Sequence, residues 1–284
     1  MLRVPLAALL AALLSSCSTF SGATQADLAS PYLGQMPPGS VAESFAPGLV
    51  TSELFDYGGV FSPDRKEFYF IREAELDGPQ EFVVFRYVDG QWKEHVLSER
   101  VGQPFIAPDG QTLHLGRRYQ ERMDDGWSEI KSLGPAFQEL RIMRLTASSQ
   151  GTYVFDEAGT DGDGIIRFSE LIDGERQDPE ALSAVINTGT WNAHPFIAPD
   201  ESYILWDGRR HTGFGDSDIY VSFREGDGSW GEAINLGDQV NTRAWEASAT
   251  VTPDGKYLFF HREVSDGNID IMWVDAKVIW DLRP

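Results

Sequence analysis

Apolar and polar positions alternate with a period of two along most of this chain, the pattern of half-buried strands, and one kind of turn interrupts the alternation at regular intervals. The recurring phrase is a short apolar run, a Ser/Ala/Thr-Pro-Asp turn and a second run rich in aromatic residues. It reads FSPDRKEFYFIR from Phe61, FIAPDGQTLHLGR from Phe105, FIAPDESYILWDGR from Phe196 and TVTPDGKYLFFHR from Thr250, with a worn copy, LTASSQGTYVF, from Leu145. The anchors Pro63, Pro108, Ser149, Pro199 and Pro253 stand 41 to 54 residues apart. Repeats of this length built from strands and turns predict a β-propeller, one four-stranded blade per repeat.

Each repeat continues in the same order. A further strand follows, clearest in Asp218-Ile219-Tyr220-Val221 and Asn268-Ile269-Asp270-Ile271, then a hairpin at Asp89-Gly90-Gln91-Trp92, Asp125-Gly126-Trp127 and Asp227-Gly228-Ser229-Trp230. The third repeat is the most divergent, with Asp173-Gly174 at the turn and Arg176 near the Trp position. The last repeat ends at Asp275-Ala276-Lys277 without its hairpin strand, whereas residues 39–51 align with residues 228–240. The expected fold is therefore all-β, a five-bladed propeller whose N-terminal segment pairs with the last blade and removes an open edge. A six-bladed ring is the alternative, and it requires a repeat hidden in the wider spacings.

The first residues set the cellular address. Arg3, the apolar run Pro5–Leu14 and the small residues before Cys17 have the form of a secretory signal. Cys17 is the sole cysteine of the chain, so no disulfide within the chain is available. The expected organisation is a signal peptide over residues 1–16, Cys17 and a flexible tether over residues 17–45, rich in Ser, Thr, Ala, Gly and Pro, and a propeller over residues 46–284. A net charge of −21 opposes nucleic acid and anionic headgroups as partners.

Two resemblances sharpen these expectations. Leu14-Ser15-Ser16-Cys17 resembles the lipobox of bacterial lipoproteins, in which the cysteine is diacylated and becomes the new N-terminus; Ser18 after it implies the outer membrane. The Pro-Asp-Gly turns, Asp218-Ile219-Tyr220, Gly228-Ser229-Trp230-Gly231-Glu232 and Leu236-Gly237 with Val240-Asn241-Thr242 resemble the WD-repeat-like, TolB-type (PD-repeat) propellers of the bacterial envelope over roughly residues 45–280. That resemblance implies a periplasm-facing interaction platform for an envelope protein or glycan, attached to the membrane through Cys17. It brings no catalytic residues.

Candidate chemistry lies where the repeats differ. Five residues before the anchors stand Gly58, Gln103, Arg144, His194 and Ser248, and two further back Asp56, Asn192 and Glu246, positions expected to line one mouth of the channel. Gln103, Arg144, Asn192, His194 and Glu246, with Trp191 and Trp245 as stacking faces, form a candidate ligand site. A carbohydrate-active enzyme, hydrolase or lyase, is the alternative, with Asp56 and Glu246 as its acid pair. Four arginines that end the second strand, Arg72, Arg117, Arg209 and Arg262, recur in register; they either converge on an anion or each serve their own blade, and repetition favours the second. Residues 159–170 match a calcium loop at Asp161, Asp163 and Glu170, but the first ligand position is Gly159 and the flanks read as strands, so a hairpin turn is expected there and calcium is the lesser alternative. No other cofactor is implied.

Overall fold

The computed structural model describes residues 31–159 and 164–284, and they build five sheets of four principal strands and one two-stranded hairpin, Leu171–Ile172 with Glu175–Arg176. Blade 1 comprises Asp56–Phe61, Glu67–Glu73, Gln80–Val88 and Gln91–Glu99. Blade 2 comprises Pro104–Ile106, Thr112–Leu115, Arg118–Met123 and Lys131–Ser132, with Gly126–Trp127 folded back on its third strand. Blade 3 is formed by Leu145–Ala147, Tyr153–Ala158, Gly164–Ser169 and Glu180–Ala181, and blade 4 by Trp191–Ile197, Tyr203–Arg209, Asp218–Phe223 and Ile234–Asn235. Blade 5 takes Glu246–Val251, Tyr257–Ser265 and Asn268–Asp275 from the end of the chain and Glu43–Ser44 from its beginning. The first strand of every blade touches the first strand of the next, and that of blade 5 returns to blade 1. The ring is closed with five blades.

The Pro-Asp phrase is a tight turn with a left-handed third residue. In each blade a backbone N–H at that residue bonds the carbonyl three positions earlier, as in Gly110 N to Ala107 O and Gly255 N to Thr252 O, both 2.8 Å. Glycine fills this place in blades 2, 3 and 5 because φ is +73°, +86° and +72° there. Blades 1 and 4 put Arg65 and Glu201 in the same left-handed region. The turn Asp or hydroxyl compensates: Asp64 Oδ1 accepts from Ser62 Oγ at 2.6 Å and from Lys66 N at 3.0 Å. The aromatic run after the turn is the second strand, buried on both faces between blades, which is why Phe68, Tyr69, Phe70 and Ile71 are all inaccessible.

Closure joins the two ends of the chain. Glu43 pairs with Trp273 and Ser44 with Met272, and Phe45 N donates to Ile271 O at 2.8 Å. Phe45 is fully buried among Phe61, Phe68, Phe259 and Trp273, with ring centroids 4.8–6.2 Å apart. The packed body starts earlier than a boundary at residue 46: Tyr32 and Leu33 are buried in the same cluster, and Tyr32 Oη donates to Asp254 at 2.9 Å. The tether expected over residues 17–45 therefore does not hold for residues 31–45, and residues 17–30 lie outside the described residues. Aromatic burial at the junction of blades 1 and 5 explains the difference. No helix among the described residues is long and apolar enough to cross a membrane.

Truncating Phe45 leaves a cavity in this junction. Phe45→Ala is expected to lower unfolding free energy by about 3–5 kcal/mol. Urea denaturation followed by tryptophan fluorescence measures it, and a change below about 1 kcal/mol would show that the closing strand is dispensable.

Candidate functional site

The strands that line the ring axis are bent by a bulge five residues before the turn. The pairing register slips between Tyr57 and Val60, between Ala193 and Phe196, and between Ala247 and Thr250. At the slip the backbone is left-handed: φ is +70° at Gly58, +44° at His194 and +57° at Ser248. Only the first is a glycine. The other two are held by carboxylates from the preceding blade: His194 N donates to Asp156 Oδ2 at 2.9 Å, and Ser248 N donates to Asp207 Oδ1 at 3.0 Å. Blade 3 has no slip, and Arg144 instead pairs directly with Asp156, whose N–H it accepts at 3.3 Å.

The side chains at these positions meet on the axis. His194 Nδ1 lies 3.0 Å from Asp207 Oδ1, Ser248 Oγ donates to Gln103 Oε1 at 2.9 Å, and Arg144 Nη1 donates to Ala249 O at 2.8 Å. The last two bonds reach between blades that are not neighbours, so they span the channel. Gln103, Arg144, His194 and Ser248 are each at most 5% exposed. His261, in blade 5 at the place Asp207 holds in blade 4, packs edge-on against Trp245 at 5.0 Å and Tyr57 at 5.7 Å, with His194 6.4 Å away. Both of its ring nitrogens, and Nε of Arg144, are buried without a hydrogen-bond partner among the described residues.

Electrostatics follow from this burial. Burial acts to lower the pKa of His194, but the Asp207 and Asp156 carboxylates outweigh it and hold the imidazole above its ordinary value. His261 has no such partner; burial, with the charges of His194 and Arg144, pushes it well down and keeps it neutral. Burial lowers Arg144 to about 10 against the pull of Asp207 and Asp156, and raises Asp156. The arrangement is a compact set of opposed charges, in which Asp156 and Asp207 orient His194 and the bulges beside them.

The residues two positions further back serve their own loops. Asp56 Oδ2 accepts from Ser52 N at 2.7 Å and from Ser52 Oγ at 2.6 Å; Glu246 accepts from Thr242 N at 3.0 Å, from Thr242 Oγ1 at 2.6 Å and from Arg262 Nε at 2.8 Å. Both carboxylates thus latch the four-residue loop before their strand. Asn192 accepts from the Trp206 indole at 3.2 Å and donates to Gly164 O at 3.3 Å. Trp191 stands half-buried opposite Arg209 at the edge of blade 4. The four repeating arginines act within their blades: Arg72 on Glu94 and Leu49 O, Arg117 on Gln138 O, Arg209 on Asp216, and Arg262 on Glu246 and Val240 O.

Gln103, Arg144 and His194 are therefore brought together, with Trp245 one ring away, whereas Trp191, Asn192 and Glu246 are not part of the cluster. Asp156, Asp207 and His261 complete it. Their signal in the sequence is a polar residue within an aromatic run, as in YVFDEA, ILWDGR and LFFHR. Asp161 and Asp163 lie outside the described residues; the strands on either side are antiparallel partners, Ala158 opposite Gly164, and Glu170 is exposed. Among the described residues no group of three or more His, Cys, Asp or Glu side chains is arranged to hold a metal ion.

Five sheets around this axis define the class, a five-bladed β-propeller. No family model matches the chain, and no curated protein matches it. Among solved structures it is similar to TolB from Acinetobacter baumannii, at 13% identity and a TM-score of 0.47 over 78% of this chain and 54% of that one. It is similar too to a putative TolB from Agrobacterium tumefaciens, at 16% identity and a TM-score of 0.47, covering 79% and 78%. A third is the catalytic domain of a GH62 α-L-arabinofuranosidase from Coprinopsis cinerea, at 9% identity and a TM-score of 0.49, covering 84% and 97%. The chain spans about half the length of the Acinetobacter protein. The blade count rests on the sheets themselves.

Asp56 provides a pH test of the loop latch. Burial pushes its carboxyl up to about 6, against the Ser52 hydrogen bonds and the Arg72 guanidinium, which favour the anion, and with the Asp270 carboxylate opposing it. Its folded pKa lies above the unfolded one, so the stability linked to this proton is fully present below about pH 4 and is lost as pH rises through about 6. Asp56→Asn removes that dependence. The stability of the wild type relative to the variant is expected to fall by about 2–3 kcal/mol between pH 4 and pH 7; parallel stability curves over that range would exclude a raised Asp56.

Proposed function

We propose that this chain is a lipid-anchored binding module of the bacterial envelope, held by Cys17 at the outer membrane, facing the periplasm and recognising a protein or glycan partner without turning it over. The observation that carries this reading is the fate of the two acids a glycosidase would use at the channel mouth. A hydrolase presents its carboxyl pair to a sugar across open space. Asp56 and Glu246 are instead inaccessible, and each is committed to the backbone of its own loop, Glu246 also to Arg262 of its own blade. The axial cluster supports the same reading, because Ser248 is bonded to Gln103, His194 to Asp207 and Arg144 Nη1 to the Ala249 carbonyl across the ring. Recognition then falls to the outer faces of the blades, and a protein of net charge −21 favours cationic or neutral partners over most of its surface.

One observation favours a second reading, a hydrolase centred on the axis. Ser248, His194 and Asp207 lie in one buried cluster with His194 Nδ1 on Asp207, and two of the three have left-handed backbones of the kind found at strained sites. The Ser248 hydroxyl, however, is given to Gln103.

Two measurements separate the readings. Cells fed radiolabelled palmitate are expected to label the wild-type chain and not Cys17→Ala, and the purified protein is expected to leave a panel of aryl glycosides and aryl esters uncleaved above buffer. Turnover that disappears in Asp207→Asn, or in the Asp56→Asn/Glu246→Gln pair, while the far-ultraviolet spectrum stays native would replace the binding module with an enzyme.

A further inference from the structure

Acidic residues outnumber basic ones 44 to 23 in this chain, yet one surface cavity is lined the other way. At the outer edge of blade 2 a cavity of about 590 Å³ is bounded by Arg117, Arg118, Lys131 and Ser132, with Ile130 as an apolar shelf and Glu139 as the one carboxylate on its wall. The sheet itself produces the convergence. Ser132 pairs with Arg118 and Lys131 with Tyr119, and Leu133 N bonds Arg117 O, so the last two strands of the blade bring three cations to one edge.

The three cations are not equivalent. Arg117 is oriented by Gln138 O at 3.0 Å, and Lys131 is paired with Glu121 at 2.6 Å. Arg118 is exposed and makes no ion pair or hydrogen bond through its side chain among the described residues. Its planar fork is suited to a carboxylate, which it can hold with two parallel N–H bonds. The Ser132 hydroxyl directly opposite and the Gln138 amide can donate to or accept from ring hydroxyls. Ile130, 47% exposed, offers a face for the apolar side of a sugar ring. Lys131 adds a point charge that strengthens attraction to an anion and makes it sensitive to salt.

We propose that this cavity binds the carboxylate of an acidic sugar, a uronic acid unit of an envelope polysaccharide. The inference deepens the binding-module reading and rests on it for the class of partner. Arg118 grips the carboxylate, Arg117 and Lys131 set the positive field around it, and Ser132 and Gln138 read the neighbouring hydroxyls. Arg118 then determines specificity for acidic over neutral sugars.

The test is isothermal titration of the full chain in non-ionic detergent with trigalacturonate, with its neutral methyl ester and with sodium sulfate, for the wild type, Arg118→Gln and Arg118→Glu. Arg118 is exposed and its side chain makes no hydrogen bond or ion pair among the described residues, and an unchanged melting temperature verifies that both variants are folded. Trigalacturonate is expected to bind, the ester to bind at least about tenfold more weakly, Arg118→Gln to lose about tenfold in affinity and Arg118→Glu more, with the affinity falling as salt is raised. The proposal is overturned by no binding at about millimolar ligand, by equal binding of acid and ester, by wild-type affinity in both variants, or by sulfate displacing the sugar at equal concentration, which would mark a free-anion site. The saccharide is recovered afterwards and sized. Intact sugar with the expected affinities supports both readings, and cleaved sugar keeps this site while refuting binding without turnover. Absence of binding by a palmitate-labelled, inactive chain refutes this site alone.

Discussion

Five inner strands crowd around one axis, and three of them must bend there, which leaves left-handed residues whose backbone N–H groups point away from their own sheet. Two of those groups are buried, and a buried N–H without an acceptor costs on the order of 1–3 kcal/mol. Asp156 and Asp207 meet that need, each reaching from its own blade to the bulge of the next, at His194 and Ser248. Each carboxylate is thereby both a hydrogen-bond acceptor and a joint between blades. Asp207 also holds the imidazole of His194, which fixes that ring on the axis. The arrangement of the remaining axial groups, Gln103 with Ser248 and Arg144 with Ala249, follows from where those two bulges stand.

Closure of the ring is a separate device that relies on apolar contact. Blade 5 lacks an outer strand from its own repeat, and Glu43–Ser44 supplies it, carrying Phe45 into an aromatic cluster shared with blade 1. At this junction the place that Asp156 and Asp207 hold at theirs is taken by His261, which faces Tyr57 and Trp245 and keeps its nitrogens unpartnered among the described residues. Blades 3, 4 and 5 are thus joined at the axis by charge, and blades 5 and 1 at the rim by burial. Both devices hold the ring in one register.

Much of this was legible in the sequence because the repeats can be laid over one another. The Pro-Asp-Gly turn announces itself through its chemistry, since the third position must be left-handed and glycine fills it in three blades of five. The alignment of residues 39–51 with residues 228–240 revealed the closing strand because that strand keeps its phrase although it lies at the opposite end of the chain. Gln103, Arg144, His194 and Ser248 could be grouped because equal distance from the turn means equal height along the axis. Asp156, Asp207 and His261 were hidden inside aromatic runs, where strand patterning reads them as part of the second strand. The roles of Asp56 and Glu246 were not legible either: each depends on a hydroxyl four residues earlier, Ser52 and Thr242, and on the local loop that brings it back. The basic cavity of blade 2 joins Arg117 and Arg118 to Lys131 across a strand pairing that alternation alone does not register.

The claim that these carboxylate-to-amide contacts hold the ring together is tested most directly by amide hydrogen exchange at Ser248 and His194 in the wild type and in Asp207→Ala. In the wild type both amides are predicted to exchange only when the whole propeller unfolds. In the variant, protection at Ser248 is predicted to collapse, and the slowest amides of all five blades to lose protection together by about 3–5 kcal/mol, because a joint between blades has been removed and its buried partners left unpaired. Wild-type protection at Ser248 in Asp207→Ala, or a loss confined to that one amide while the other blades keep theirs, would contradict the account.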